Sequence, residues 1–474
     1  MKDEIKSNNY LIDRDKLIGN LSNKFFDKEF KYKVKNNYMF YKSSFCKAMT
    51  IKLSNSKEFT DLILEKKNSK RIFYFYKNDE YKISKMYAET KNISVKRKFN
   101  LINKLIFRKL ILFYISITEF KTSSNDIIFI LTHKKYKPIF NRCSKFINQK
   151  YNNFYFQRIN DLLSLRKFTI KRNKLEIPNI LLKSNLEAIF NIIILQNLIK
   201  EFLSISKPKA IISVEGDSII HSTFAYFCPK QTKSICFQWG SFTKDYVKNG
   251  FKNMYQKTKF VWSDYYKKKF IEDNKNTNFI KAGNPLLKNN KGNKRTDIVF
   301  LLSPISPYIK EKTYKELINI IKWTNKFKDK KIIIRFHPND SEKKIKLIKL
   351  KLKKYNFRFH RPSDFSLQDS IQNACIAISI RSSALIEITR SGVIPIIFNT
   401  IERDLEKYFY DIKKIGLYAE NVTKIKNLIK KIINSKKSNF QKNLNKKIIQ
   451  IGKKYTPLIS ENSEKIIANL LRRI

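Results

Sequence analysis

The segment IRFHPND places His337 and Pro338 at the end of an apolar run and just before a stretch of helical period. An imidazole there can donate to a phosphate oxygen, and a helix start behind it adds free backbone N–H groups. The competing account is a loop histidine satisfied by its neighbours. Further along, ISIRSSALIEITRSG repeats the arrangement, with Arg381, Ser382 and Ser383 at a strand-to-helix turn. Two hydroxyls and the first-turn amides make an anion cradle that the guanidinium adjoins. Glu387 follows Ser383 by roughly one helical turn, so its carboxylate can share a face with the cradle and accept from ribose hydroxyls. Serine as a plain helix cap is the alternative. Ser303, which ends the run DIVFLLSP, joins this donor-side set.

A second group lies upstream. KAIISVEGD ends an apolar run on Glu215, Gly216 and Asp217. A carboxylate so placed can act as a general base, Glu215 first and Asp217 second, if enclosure raises its pKa toward neutrality. A carboxylate capping a helix at Ser218 is the other account. Gln238 and Gly240 in FQWG, with Asn284 in KAGNPLL, are expected with Gly216 along the cleft between halves. No His, Cys and carboxylate cluster has metal-ligand spacing, and Asp13-Arg14-Asp15 reads as solvated surface. Neither a metal nor a resident cofactor is expected.

Short apolar runs alternate with longer helical-period segments between Asp297 and Asn399, the pattern of βαβ units around a parallel sheet. NDIIFILTH, KAIISVEG, KSICFQWG, KFVWSD and NFIKAGNP suggest a second such sheet upstream. Open parallel sheets bind ligands beyond the carboxyl ends of their strands, where the residues above fall. Glycine is scarce, 9 in 474, yet Gly216, Gly240, Gly283 and Gly392 sit near element ends. The polar stretch KNNKGNKR at 288–295 marks a boundary. The expected layout is residues 1–290 as an N-terminal Rossmann-like domain with an extra N-terminal region, 291–400 as a second Rossmann-like domain, and 401–474 as helices packing on or crossing between the two. Residues 95–120 are either a core helix or a basic amphipathic helix on an anionic membrane.

A hydrophobic fraction of 42% with 37 Phe and 24 Tyr excludes a chain too polar to collapse. The formal charge of +58 raises the prospect of nucleic acid, but the basic set is 81 Lys and 17 Arg. Base-reading interfaces favour Arg forks, so solvated faces or an anionic membrane or substrate account for the charge better. The five Cys contain no C-x-x-C pair, which fits a reducing compartment. The polar start and the lack of an apolar run of membrane-spanning length lead to a cytoplasmic or peripheral expectation.

With these motifs in place, the sequence resembles the glycosyltransferase superfamily of two facing Rossmann-like domains, the GT-B fold, and its bacterial surface-polysaccharide branches in particular. SSALIE followed by G-x-IPI is similar to that family's phosphate and ribose contacts, which implies those roles for Ser382, Ser383 and Glu387. FHPND resembles the donor-phosphate motif of bacterial sialyltransferases and capsule-type transferases, which implies that role for His337. VEGD keeps only Glu215 of the acidic pair that precedes Gly in those sialyltransferases. FQWG resembles a Gln-His-Gly with Trp239 in place of His, and KAGNPLL resembles a Gly-Asn-Pro strand end. The resemblance covers residues 205–400, and it implies that 1–290 is the acceptor-side domain and 291–400 the nucleotide-sugar-binding domain. It implies metal-independent, inverting transfer from a nucleotide sugar to a hydroxyl of a capsule, lipopolysaccharide or similar glycan. The alternatives are a CDP-glycerol-type polymer phosphotransferase, a nucleotide-sugar epimerase, or a basic membrane- or nucleic-acid-binding scaffold.

Overall fold

The computed structural model describes residues 23, 26–27, 40, 42–46, 95–121, 125–133, 136–147, 150–168, 187–216, 218–240, 254–272, 274–285, 287, 295–303, 311–338, 340–380, 382, 384–398, 415–434, 439–458 and 461–472. The Asp13-Arg14-Asp15 triplet, Asp217, Arg381 and Ser383 lie outside the described residues. The chain is an α/β protein with two six-stranded, all-parallel, Rossmann-like sheets.

In chain order the first half runs α1 (Val95–Ile117), β1 (Thr118–Phe120), β2 (Ile127–Ile130), α2 (Lys137–Ser144), β3 (Asn153–Phe156), β4 (Arg166–Phe168), α3 (Glu187–Ser206), β5 (Ala210–Val214), α4 (Ile219–Tyr226), β6 (Lys233–Phe237), β7 (Thr258–Val261), α5 (Asp264–Ile271) and β8 (Asn278–Lys281). The sheet order is β3-β2-β5-β6-β7-β8. Strands β2 and β5 are buried throughout, which is why they read as unbroken apolar runs. On one face Ile128, Ile130 and Ile211 pack with Leu112 and Ile115 of α1 and Phe202 and Leu203 of α3. On the other, Ile127, Phe129, Ile212 and Val214 pack with Ile139 and Phe140 of α2. The stretch 95–120 is helical only to Ile117; Thr118–Phe120 leaves it to pair antiparallel with β4. Buried Arg166 locks that ribbon, donating to Thr118 Oγ1 at 2.6 Å and pairing with Glu201 at 2.7 Å.

The second half runs β9 (Asp297–Leu301), α6 (Glu311–Thr324), β10 (Ile332–Arg335), α7 (Glu342–Leu352), β11 (Arg358–His360), α8 (Leu367–Ile371), β12 (Ala374–Ser379), α9 (Ala384–Thr389), β13 (Ile394–Phe398), β14 (Leu417–Ala419), α10 (Val422–Asn434), α11 (Asn439–Tyr455) and α12 (Glu461–Arg472). The order is β11-β10-β9-β12-β13-β14. Helix α7 is capped by Ser341, whose hydroxyl accepts from the Lys344 amide at 3.3 Å. A Ser366–Asp369 capping box starts α8. One expectation is corrected here, since the chain beyond residue 400 is not all helix. β14 completes the sheet beside β13, and Gly416 admits it because a Cβ there would collide with the Pro395 carbonyl. Helix α12 then returns to the first sheet, where Ile467 and Leu471 join the α2 side of its core.

In each sheet the chain winds outward in both directions from one central pair, β2/β5 in the first and β9/β12 in the second. The crevice beyond the carboxyl ends of such a pair is the switch point at which open α/β sheets take ligands.

Candidate functional site

Glu215 emerges from β5 at the first switch point. Its φ of +70° is followed by +84° at Gly216, so the chain turns sharply away from the strand. A left-handed conformation costs a residue with a Cβ about 1–2 kcal/mol, and the surroundings hold it. The Glu215 amide donates to the Phe237 carbonyl at 2.8 Å, and the Lys259 ammonium donates to the Glu215 carbonyl at 2.8 Å. From the other side of the switch point, the Tyr136 hydroxyl donates to Glu215 Oε2 at 2.5 Å. The Tyr136 ring meets Trp239 edge-on at 5.1 Å, so Trp239 supports the group that orients the carboxylate. At Gly216 a Cβ would press on Cys236 Sγ at 2.9 Å and Met254 Cε at 3.0 Å.

Gln238 has a structural task. Its Oε1 accepts from the Trp262 amide at 2.9 Å, its carbonyl accepts from the Trp262 indole at 3.1 Å, and its Nε2 donates to the Gly240 carbonyl at 2.8 Å. A Cβ on Gly240 would point into open space. Thr132, just past β2, brings its hydroxyl to 3.3 Å from His221 Nε2 on α4.

At the second switch point Ser303 is buried, with its hydroxyl 3.4 Å from that of Ser379. Its carbonyl accepts from the Lys344 ammonium at 2.8 Å and from the Tyr314 hydroxyl. Lys344 also pairs with Asp340 at 2.6 Å, and Asp340 accepts from the His337 amide at 2.8 Å. One buried lysine thus ties the loop after β9 to the His-Pro loop after β10, with Pro338 exposed at the surface of that loop. Ser382 behaves as a cap: its hydroxyl accepts from the Ala384 amide at 3.3 Å. Helix α9 is six residues long, so its dipole adds little charge to the cradle.

Glu387 sits in the first turn of α9. Burial pushes its carboxyl up to about 7, opposed by the Arg335 guanidinium and by the nearby Asn284 side-chain amide. Arg335 ends β10, where Nη1 donates to the Phe365 carbonyl at 2.8 Å, the Ser366 carbonyl at 3.1 Å and Ser370 Oγ at 2.8 Å. Burial lowers its own pKa to about 10. Ser370 also lies 3.1 Å from His360 Nδ1, and burial pushes that imidazole down. Asn284 follows β8 of the first sheet, so its contact with Glu387 joins the two halves. The chain path makes this possible: the Asn284 amide donates to the Pro457 carbonyl at 2.8 Å, just beyond α11.

The geometry therefore groups Glu215 and Gly216 at one switch point, with Gln238 and Gly240 beyond the neighbouring β6. Ser303, Ser382, Glu387 and Asn284 form a set at the other, with His337 on the adjoining loop. Sequence reasoning passed over Tyr136, Lys344 and Arg335. Arg335 left a signal, a lone charge inside the buried run IIIRF. Tyr136 and Lys344 left none, because their partners come from distant segments.

No protein-family model matches the chain, and no curated protein matches it. Solved structures do align. The wall teichoic acid polymerase TagF is 13% identical, with a TM-score of 0.48 over 79% of this chain and 96% of that one. The UDP-N-acetylglucosamine 2-epimerase from Neisseria meningitidis is 12% identical, with a TM-score of 0.45 over 73% of this chain and 98% of that one. The S. aureus MnaA–UDP structure is 12% identical, with a TM-score of 0.44 over 73% and 95%. At such values the alignments assign no residue roles, which rest on the geometry above.

Proposed function

We propose that this chain is a GT-B-type glycosyltransferase that moves a sugar from a nucleotide-sugar donor to a hydroxyl of a surface glycan, inverting and metal-independent, in the cytoplasm at the inner face of the membrane. The observation that carries the reading is Glu215, a non-glycine residue held at φ +70° at a switch point with its carboxylate fixed by Tyr136. Backbone strain maintained by surrounding bonds clusters at active sites and ligand clamps. In the proposed step the acceptor oxygen attacks the anomeric carbon while Glu215 takes its proton. The bond to the donor phosphate oxygen breaks, and its electron pair leaves with the nucleotide. His337 and Ser382, with Arg381 and Ser383 adjoining Ser382 in the sequence, would meet the charge that develops on that phosphate. Glu387 would accept from the ribose.

Thermal stabilisation by UDP, GDP, CDP, CMP and dTDP tests the donor site, since a ligand bound only by the folded state raises Tm. One nucleotide should give a shift that His337→Ala with Ser382→Ala removes. Glu215→Gln should keep the shift and lose transfer, and EDTA should leave transfer intact. If none of the nucleotides shifts Tm, or if Glu215→Gln transfers at the native rate, the reading fails. Donor epimerisation without acceptor would select an epimerase, and a phosphodiester product from CDP-glycerol would select a polymer phosphotransferase. Salt-sensitive nucleic-acid binding without nucleotide affinity would select the scaffold.

A further inference from the structure

We infer that the outward face of α1 is a docking surface for an anionic phospholipid bilayer. The helix is apolar on two sides. Leu112 and Ile115 are buried against the first sheet's core. Ile106, Phe107, Leu110 and Phe113 are 51%, 63%, 58% and 62% exposed. Their spacing of one, three and three residues lays them along a single stripe. A soluble helix normally turns polar side chains outward. Phe168 extends the patch: it is 73% exposed and pairs with Thr118, directly after the end of α1. Among the described residues the other exposed large apolar side chains are spread over four helices and a loop. A patch gathered on one helix and its adjoining ribbon marks an interaction site rather than ordinary surface.

Charge selects the occupant. Across its 23 residues α1 carries no Asp or Glu; exposed Lys109 lies on the helix beside the stripe, and exposed Lys121 and Lys167 lie on the ribbon that follows it, Lys167 opposite Glu119. The whole chain is at +58. An apolar stripe rimmed by cations matches an interface with an apolar interior and a negative headgroup layer. Among the described residues no helix is long and apolar enough to cross a membrane; α1 would lie in the plane of the interface. This inference is independent of the catalytic reading and stands or falls on lipid binding alone.

The test is sedimentation of the purified full chain with vesicles of phosphatidylcholine containing phosphatidylglycerol. Binding should occur there, weaken at high salt and be lost on pure phosphatidylcholine. Phe107→Ser with Phe113→Ser should lower the partition coefficient by about tenfold or more, and Lys109→Glu with Lys167→Glu should lower it as well. Phe107→Trp, an exposed change that cannot unfold the core, adds a direct readout. Relative to the native chain, bound protein should gain blue-shifted emission that brominated acyl chains quench. Undiminished binding by the serine variant, or unquenched emission from bound F107W, would overturn the inference. So would a dimer that forms without vesicles and that Phe107→Ser with Phe113→Ser dissolves, because the face would then belong to a second copy.

Discussion

Glu387→Gln removes one titration whose energetic consequence can be worked through. Burial sets the Glu387 carboxyl at about 7 against its ordinary 4.5. A carboxyl raised in the folded state keeps a proton that the unfolded chain has already released above pH 4.5. Its contribution to stability is therefore fully present below that pH, declines as pH rises toward about 7, and is level beyond. At about 1.4 kcal/mol per pKa unit the change over the window is about 3 kcal/mol. Glutamine does not titrate. The stability of the native chain relative to E387Q should fall by that amount between pH 4.5 and 8, which is on the order of 6–12 °C in Tm for a unit of 150–250 residues. Calorimetry on the two proteins side by side cancels the other groups that titrate in the range, His360 among them. A difference that stays constant from pH 5 to 8 refutes the enclosed, raised carboxyl. A Glu387 that accepts ribose hydroxyls does so as the anion. Nucleotide affinity should then fall about tenfold per pH unit below 7 in the native chain and be flat in E387Q.

Tyr136→Phe removes the hydroxyl that holds Glu215. Losing a hydrogen bond to a charged group costs about 1.5–3 kcal/mol, so kcat should drop about 10- to 100-fold while nucleotide-induced stabilisation persists; an unchanged kcat would detach Tyr136 from the chemistry. Gly216→Ala combines φ +84° with a Cβ 2.9 Å from Cys236 Sγ and should cost about 1–3 kcal/mol in urea titration. Gly240→Ala, whose Cβ meets open space, should stay within about 0.5 kcal/mol, and equal losses at the two glycines would contradict the packing described. Gly452→Ala places a Cβ 2.5 Å from the Arg390 amide nitrogen, so α11 must shift and Tm should fall by several degrees, corresponding to about 1–3 kcal/mol.

Burial on both faces made most of the fold legible in the sequence. Runs such as AIISV, DIVFL and ACIAIS, buried at every position, have no polar alternation to confuse with surface. The strands that escaped notice are edge or ribbon strands. β3 reads NFYF with three of its four residues exposed or half-buried, and β14 is three residues long. Neither carries enough apolar sequence to stand out from a loop. At the site, single strand ends were readable because apolar runs stop at them, as at Glu215, Ser303 and His337. Pairings were not. Tyr136 meets Glu215 because β2 and β5 are neighbours in the sheet, and Asn284 meets Glu387 because of the route taken by the last helices. No local spacing encodes either. Serine at the start of α9 shows the opposite limit, since the cap and the anion cradle use the same residue, and only a bound nucleotide separates them.

That route through the last helices decides how the carboxyl of Glu387 behaves. Helix α11 lies against α9 so closely that a side chain at Gly452 would meet the backbone of Arg390 and Thr389. At its end the Tyr455 ring packs edge-on against Tyr265 of α5 at 4.7 Å, and Pro457 accepts from the Asn284 amide. The segment that closes over α9 therefore also holds the end of β8 against it, and Glu387, half-buried in the first turn of α9, is covered from both halves. Asn284→Ala distinguishes what each half supplies. The Asn284 amide favours the anion while burial disfavours it, so deleting the amide with the burial intact should raise the carboxyl above 7 and carry the pH at which stability levels off upward with it. A downward move would mean that the bulk of Asn284, more than its polarity, keeps water from Glu387. Relative motion of the halves would then be coupled directly to proton uptake and release at Glu387.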